Sequence, residues 1–298
     1  MNLRFQLQWE VNPFQAGQTI KNFLREEEIS RLALTDIKFR GGKILVNGME
    51  VNVRYVLKVG ETVTVIFPLE KPSEGIVGER IPLEILFEDQ YLLVVNKPAG
   101  MTTIPSREHP TGSLANALVG YYEEIGIEST AHIVTRLDRD TSGIVLIAKH
   151  RHIHHLFSKQ QQKGNVKRMY EAFAEGSLWL DEGTIEEPIG RKSDSIIERE
   201  VRSDGQYACT NYKVLKRYKE FTHVELQLKT GRTHQIRVHM SFIGHPLLGD
   251  DLYGGSLLHI VRQALHCKKI QFHHPITSLE MTFTASLPND LNELLNKG

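Results

Sequence analysis

The apolar positions of the first seventy residues change their spacing part-way along. Over residues 18–34 they recur mostly at helical intervals, and residues 35–40 continue as a second short helical piece before a pair of glycines. Two apolar runs then flank Asn47-Gly48, the strongest short signal for a β-hairpin, and residues 62–67 indicate a further strand. The pattern predicts a small α+β module over residues 1–70.

The chain changes character after a stretch rich in proline, glycine and charge, which predicts a linker over residues 71–82. Further on, strands are predicted at 83–96 (as a pair), 144–148, 169–174, 207–218 and 223–228, and helices at 114–122, 152–161 and 235–242. The sequence shows no βαβ rhythm and no glycine-rich phosphate loop, so a doubly wound nucleotide-binding sheet is not expected. The predicted fold class is α+β, in which residues 83–298 form a larger domain on a largely antiparallel or mixed β-sheet flanked by helices.

The composition excludes several classes of protein. The chain has 298 residues, of which 40% are hydrophobic, enough for a sizeable core. Its two cysteines, Cys209 and Cys267, form no CxxC pair, which excludes a disulfide scaffold and a cysteine-based metal site and fits the reducing cytoplasm. No apolar stretch approaches the ~18 residues of a membrane helix, and the first residues do not have the pattern of a signal peptide. We therefore expect a cytoplasmic protein with no membrane partner.

The charge is zero overall but unevenly distributed, with 36 Lys+Arg residues against 36 Asp+Glu. Residues 131–170 carry 8 basic and 2 acidic residues, and residues 207–240 carry 7 and 2, whereas residues 76–130 carry 3 and 8. A polyanion responds to the local field, so two basic stretches on one face would allow nucleic-acid binding. The alternative is that both are ordinary solvated faces.

Polar residues concentrate in four segments, several of them at sharp turns. These are NKPAGM at 96–101, TRLDRDTSG at 135–143, KRMYEA at 167–172 and TGRTHQIRVH at 230–239, the last followed by GHPLLGD at 244–250. In this order they resemble the motifs of the RluA-type family of RNA pseudouridine synthases, and the resemblance spans about residues 83–275. The RLDxxTSG and GRTHQIRVH strings are specific to that family at this separation, whereas NKPAG alone is a weak signal.

The resemblance implies an isomerase that turns uridine into pseudouridine. The reaction breaks the N1–C1′ glycosidic bond, rotates the uracil and rejoins it through C5, without a redox change, so no cofactor is expected. It needs a carboxylate as nucleophile, or at least to stabilise a cationic sugar. By resemblance that carboxylate is Asp138, its arginine partner is Arg232, and Tyr170 stacks on the flipped base and assists removal of the C5 proton.

The same resemblance implies contacts with structured RNA, ribosomal or transfer. Arg136 corresponds to the family's arginine that fills the gap left by the flipped nucleotide, and Lys97, Arg139 and Arg168 are expected to bind RNA. The N-terminal module resembles the S4 RNA-binding domain, whose helical face is usually basic. The residues expected to form that face and bind RNA are Lys21, Arg25, Lys38, Arg40 and Lys43. A monomer without an obligate protein partner is the expected state.

Each motif residue also has a purely structural interpretation. Asp138 alone would more often be a turn or helix-capping residue, and Tyr170 a core aromatic of a strand. Arg237 and His239 could be surface or supporting residues, and His234 and Gln235 are expected to be scaffold.

Two further features leave alternatives open. Thr135 stands where the family usually has histidine, which allows a second hypothesis: a catalytically inactive RNA-binding or chaperone protein that retains the fold. The histidine run over residues 150–155 suggests a metal site, but without HExxH or a nearby acidic partner it is expected to be a solvated basic helix face, with no metal.

Overall fold

Two short helices pack on a small sheet in the N-terminal part of the computed structural model, which describes residues 4–70, 75–106 and 109–297. The elements are β1 (Gln6–Glu10), α1 (Ile20–Glu26), α2 (Arg31–Phe39), β2 (Lys43–Val46), β3 (Met49–Glu50) and β4 (Thr62–Ile66). The sheet order is β1-β4-β2-β3, and Leu7, Ile20, Phe23 and Val63 lie in its core. The β1 strand was not predicted, although Phe5, Leu7 and Trp9 alternate with glutamines there.

The predicted division between the first two helices was wrong. The chain leaves the helix after Glu26 and passes through Glu28, whose φ is +63°. The hydroxyl of Ser30 then accepts a hydrogen bond from the backbone N–H of Ala33 and caps the second helix. The helix therefore restarts at Arg31, not at residue 35. The predicted hairpin is confirmed: Asn47 and Gly48 both have positive φ, as a type I′ turn requires.

Ten strands of the described residues form the second, larger sheet. Its elements and neighbours are β5 (Glu84–Glu88), β6 (Leu92–Lys97), α3 (Leu114–Glu124), β7 (His132–Ile133), β8 (Ser142–Ala148), α4 (Arg151–Gln162), β9 (Lys167–Glu175), β10 (Glu182–Glu186), β11 (Ile189–Arg191), β12 (Arg199–Val201), β13 (Cys209–Arg217), β14 (Phe221–Leu228), α5 (Gln235–Phe242), a 3₁₀ turn (Asp251–Tyr253), β15 (Leu265–His273), β16 (Glu280–Thr284) and α6 (Asn289–Leu295). The main order is β10-β13-β14-β9-β15-β8-β6-β5, with β7 and β16 on β8 and β15, while β11 and β12 pair separately. The α+β fold class and the mixed, mainly antiparallel sheet are confirmed.

The two halves of this sheet meet where β8 runs parallel to β15. Ser142 and Gly143 pair there with His266 and Cys267. A Cβ on Gly143 would lie 2.4 Å from the carbonyl oxygen of Cys267, and its φ is +115°, so only glycine allows this close approach. The contact fixes the start of β8. It thereby also fixes the turn that precedes the strand and carries Arg136, Leu137 and Asp138, called the RLD turn below.

The histidine run lies against the N-terminal module, which corrects its interpretation as a solvated basic face. The ring of His150 stacks on Phe5 at 3.9 Å, and the ring of His152 lies 5.3 Å from that of Phe67. Burial lowers the pKa of both histidines to about 4, so both are neutral at pH 7. The sequence pattern did not show that aromatic residues from another part of the chain cover these rings.

Part of the predicted linker, residues 71–74, lies outside the described residues, as do residues 1–3 of the predicted N-terminal module. Among the helices that the structure describes, none has the length and apolar character needed to cross a membrane.

Candidate active site

Three of the four motif segments line one cleft of about 790 Å³. Its walls come from the RLD turn before β8, the first residues of β9, and the segment from the end of β14 to the start of α5. These elements are far apart in sequence and meet because β8, β15, β9 and β14 are neighbours in the sheet. Asp138, Tyr170 and Arg232 all line this cleft, as do Arg136, Arg139 and Arg168.

Asp138 is held in a turn that is fixed on both sides. The backbone N–H of Thr141 donates to the carbonyl oxygen of Asp138 at 3.2 Å. The hydroxyl of Thr103 donates to the carbonyl oxygen of Leu137 at 2.6 Å and accepts from the Leu137 N–H at 3.1 Å. The Asp138 side chain is 27% exposed to solvent, so its carboxylate reaches the cleft from a backbone that is held in place.

Arg237, not Arg232, is the arginine that pairs with Asp138. Its Nη1 lies 3.2 Å from Oδ2 of Asp138. Its Nε donates to Oδ2 of Asp250 and its Nη2 to Oδ1 of Asp250, each at 2.7 Å. Burial acts to lower the pKa of Arg237, but the hydrogen bonds and charges of Asp250 and Asp138 have the larger effect, so its pKa is raised above the ordinary value. Arg237 is therefore a fixed cation that joins a wholly buried carboxylate to the one in the cleft.

The expected pairing of Arg232 with Asp138 was therefore wrong. Arg232 precedes α5 and is exposed, and its Nε donates to the carbonyl oxygen of Tyr207 at 2.9 Å. Arg237 lies inside the helix, on its buried side. The signal that could have identified Arg237 was Asp250 in the GHPLLGD string, since an acidic residue in an otherwise apolar segment needs a partner.

Lys97 cannot bind RNA, which corrects a second prediction. Its side chain is 1% exposed, and Nζ donates to the carbonyl oxygens of Pro98 (2.9 Å), Met101 (2.7 Å) and Arg139 (3.0 Å). Burial lowers its pKa to about 7, against the charges of Asp138 and Asp140, which raise it. Lys97 thus ties the NKPAG turn to the RLD turn from behind.

Lys97→Met is expected to lower the free energy of unfolding by about 2–4 kcal/mol, because three carbonyl oxygens that the buried Nζ joins lose their shared donor. Urea unfolding of the two proteins measures this. Lys219→Met, at an exposed position, should change stability by less than about 0.5 kcal/mol. If Lys97→Met left the stability unchanged but lowered RNA affinity, the result would instead favour the RNA-binding role that the sequence predicts for Lys97.

Tyr170 forms part of the cleft wall from β9 and is almost wholly buried. Burial raises the pKa of its phenol, which therefore stays protonated at neutral pH. Arg168 lies against Gly231, where an added Cβ would be 2.7 Å from its Nη2. Arg136 is exposed, and Arg139 pairs with Asp140 at 3.1 Å while still half-exposed.

Comparisons with known proteins agree with this geometry. The family described as RNA pseudouridylate synthase matches residues 91–242. The chain belongs to the RNA pseudouridine synthase family. It is 52% identical to the uncharacterised RNA pseudouridine synthase YjbO of Bacillus subtilis over 93% of this chain and 98% of that protein. It is 36% identical to the ribosomal large subunit pseudouridine synthase D of Yersinia pestis over 99% of this chain and 95% of that protein.

Solved structures share the fold of the synthase. The human RNA pseudouridylate synthase domain containing 4 superimposes with a TM-score of 0.59 at 24% identity, covering 71% of this chain and 91% of the human one. The human domain containing 1 gives a TM-score of 0.56 at 23% identity, covering 74% and 97%. The family match and the named relatives, not these structures, show that the synthase is an isomerase that acts on RNA, as the motifs implied.

Thr135 does not support an inactive protein. The side chain is buried, and its hydroxyl accepts a hydrogen bond from the backbone N–H of Leu146 at 2.9 Å. It thereby joins the start of the RLD turn to β8. The family match and the intact Asp138–Arg237 pair leave the inactive alternative of the synthase without an observation in its favour.

The basic residues predicted on the N-terminal module are all exposed, and they do not line the cleft. They are Lys21, Arg25, Lys38, Arg40 and Lys43. Arg40 pairs with Asp36 at 3.3 Å, and Lys43 with Glu50 at 3.5 Å. These partners reduce the positive charge of this face without removing it.

Within the described parts of the synthase, no group of three or more His, Cys, Asp or Glu side chains is placed to hold a metal ion.

Proposed function

We propose that this synthase isomerises a uridine in ribosomal RNA of the large subunit, with Asp138 as the nucleophile. The observation that carries the proposal is the Asp138 carboxylate, which is held by Arg237 at 3.2 Å and reaches the cleft. The fixed cation orients one carboxylate oxygen. A carboxylate positioned in advance needs little rearrangement to attack.

The proposed reaction begins when an Asp138 oxygen bonds to C1′ of the ribose as the N1–C1′ bond breaks, and the bonding electrons stay with the uracil. The uracil rotates, C5 bonds to C1′, and the Asp138 oxygen leaves. The C5 proton is then lost and N1 gains one. Because burial raises the pKa of Tyr170, its neutral ring is better suited to stack on the uracil than its phenol is to act as base.

RNA binding is proposed to involve two separate basic regions. Arg136, Arg139 and Arg168 lie at the cleft, where a flipped nucleotide has to be held and its gap in the helix filled. Arg232 lies at the same cleft, exposed, and is assigned here to RNA contact. The N-terminal module, proposed to be S4-like, adds backbone contacts through its exposed lysines and arginines.

The division into an N-terminal module over residues 1–70, a linker over 71–82 and a synthase domain over 83–298 belongs to this proposal. It is supported by the N-terminal core, which is built mainly from residues 7–67. We also propose that the synthase acts as a monomer in the cytoplasm. Its two buried, unpaired cysteines are in keeping with that reducing compartment.

RNA affinity should fall as salt rises, because phosphate contacts release counterions. Between 50 and 200 mM salt we expect a loss of at least ~100-fold, measured by filter binding to a large-subunit RNA fragment. Replacing Lys21, Arg25 and Lys38 together by glutamine should reduce the slope of log K against log salt by about 2. An unchanged slope would show that this face does not contact phosphate.

The substrate is tested by mapping pseudouridine in cells that lack the gene. One uridine in large-subunit ribosomal RNA should lose its modification and regain it when the wild-type gene is supplied, but not with Asp138→Ala. The relative named for the ribosomal large subunit supports this substrate. Loss of a site in transfer RNA alone would overturn the ribosomal assignment, and loss of no site would overturn the proposal as a whole.

A further inference from the structure

A chain of contacts joins the hairpin of β11 and β12 to Asp138 through Tyr253, which the proposed reaction does not use. Tyr253 ends the 3₁₀ turn directly after Asp250. Its hydroxyl accepts a hydrogen bond from the backbone N–H of Arg199 in β12 at 3.0 Å and lies 2.8 Å from Nδ1 of His234. The hydroxyl therefore stands between the hairpin and the start of α5.

The groups involved determine the direction of the bond from Arg199 and restrict that of the other. A backbone N–H can only donate, so the Tyr253 oxygen accepts from Arg199 and its own hydrogen points to another partner. Nδ1 of His234 lies 2.8 Å from the Tyr253 oxygen, within reach to accept that hydrogen. Burial lowers the pKa of His234, which favours the neutral imidazole, and with Nδ1 as the acceptor its single hydrogen is on Nε2. Nε2 is the nitrogen that lies 3.9 Å from Oδ2 of Asp138.

One further contact and one backbone conformation concern the same group of residues. The ring of Tyr253 lies under the guanidinium of Arg237, whose Cζ is 4.9 Å from the ring centroid. His234 has a φ of +55°, a left-handed conformation that is unfavourable for a non-glycine residue and persists only where surrounding contacts hold it. Tyr253 thus contacts both residues that face the Asp138 carboxylate.

We propose that Tyr253 is a positioning residue for Asp138: its hydroxyl selects the tautomer of His234 that turns Nε2–H toward the carboxylate, and its ring holds Arg237 in place. The inference rests on the proposed role of Asp138. The Tyr253 hydroxyl accepts its hydrogen bond from the backbone of β12. The position of the β11–β12 hairpin is therefore coupled to the orientation of the nucleophile.

Tyr253→Phe tests the hydroxyl while keeping the ring over Arg237. The side-chain ¹⁵N NMR spectrum of the wild type should show His234 with its hydrogen on Nε2, assigned by loss of the signal in His234→Gln. In Tyr253→Phe both tautomers should be populated. The single-turnover rate on the RNA substrate should fall about 10-fold, because one contact that positions the nucleophile is lost, and the Kd for RNA should stay unchanged.

Tyr218→Phe is the matched control, because its hydroxyl lies 3.3 Å from the carbonyl oxygen of Leu295 and outside the cleft. It should change neither the His234 signals nor the rate. A wild-type His234 with its hydrogen on Nδ1, or an unchanged rate in Tyr253→Phe once the tautomer is lost, would overturn the inference. The tautomer is read without RNA, so a failure of the proposed nucleophile would appear separately, as activity of Asp138→Ala.

Discussion

Asp138→Asn is expected to lower the single-turnover rate of pseudouridine formation by at least ~1,000-fold, because an amide oxygen is a far weaker nucleophile than a carboxylate. The substitution is nearly isosteric, and the amide oxygen can still accept the hydrogen bond from Arg237 that now spans 3.2 Å. The fold and the Kd for RNA should therefore change little. Rapid-quench measurement of modified uridine, together with filter binding, separates the two effects.

Asp140→Asn is the matched control for this experiment. Asp140 lies two residues away in the same turn, with a comparably exposed carboxylate that pairs with Arg139 at 3.1 Å. Its carboxylate is not among the groups lining the cleft. We expect its rate to stay within about 5-fold of wild type, as for a surface ion pair. Equal losses in the two variants would show that the turn needs its charge and would leave Asp138 without a special role.

The fold was predictable where the pattern of apolar residues is local. The alternation before Asn96, the Asn47-Gly48 turn and the helical spacing of residues 235–242 each correspond to an observed element. The first helix boundary was missed because the helical spacing hides the break at Glu28, and only Ser30 marks the restart. The β1 strand was missed because it is short and pairs with β4, far along the chain.

The site was predictable by motif but not by contact. The motifs identified the cleft segments that carry Asp138 and Tyr170. They did not show that Lys97, at the end of a strand, would turn inward to three carbonyl oxygens. A lysine at the end of a strand is usually solvated. At Lys97 the packing of the NKPAG turn against the RLD turn excludes water from the side chain. Contacts between distant segments therefore decided which basic residues face the cleft.

The choice between Arg232 and Arg237 shows the same limit and leads to the second large expected effect. Arg237→Met should lower the free energy of unfolding by about 3–5 kcal/mol, because it leaves Asp250 as an unpaired buried charge. The Asp250 side chain has no exposed surface, and both of its oxygens lie 2.7 Å from Arg237. Urea unfolding measures this loss.

The double variant Arg237→Met/Asp250→Leu separates stability from catalysis. Replacing both members of a buried ion pair by apolar residues is often nearly neutral, so stability should recover by at least about half of the loss. The rate should stay ~100-fold or more below wild type, because Asp138 still lacks its orienting cation.

Arg232→Ala, at an exposed position, should keep its stability within about 0.5 kcal/mol of wild type and lose RNA affinity more than turnover. If Arg232→Ala lost more turnover than the double variant, the pair that orients Asp138 would have to involve Arg232 once RNA is bound. If the double variant recovered both stability and rate, the Arg237 contact would serve only to neutralise Asp250.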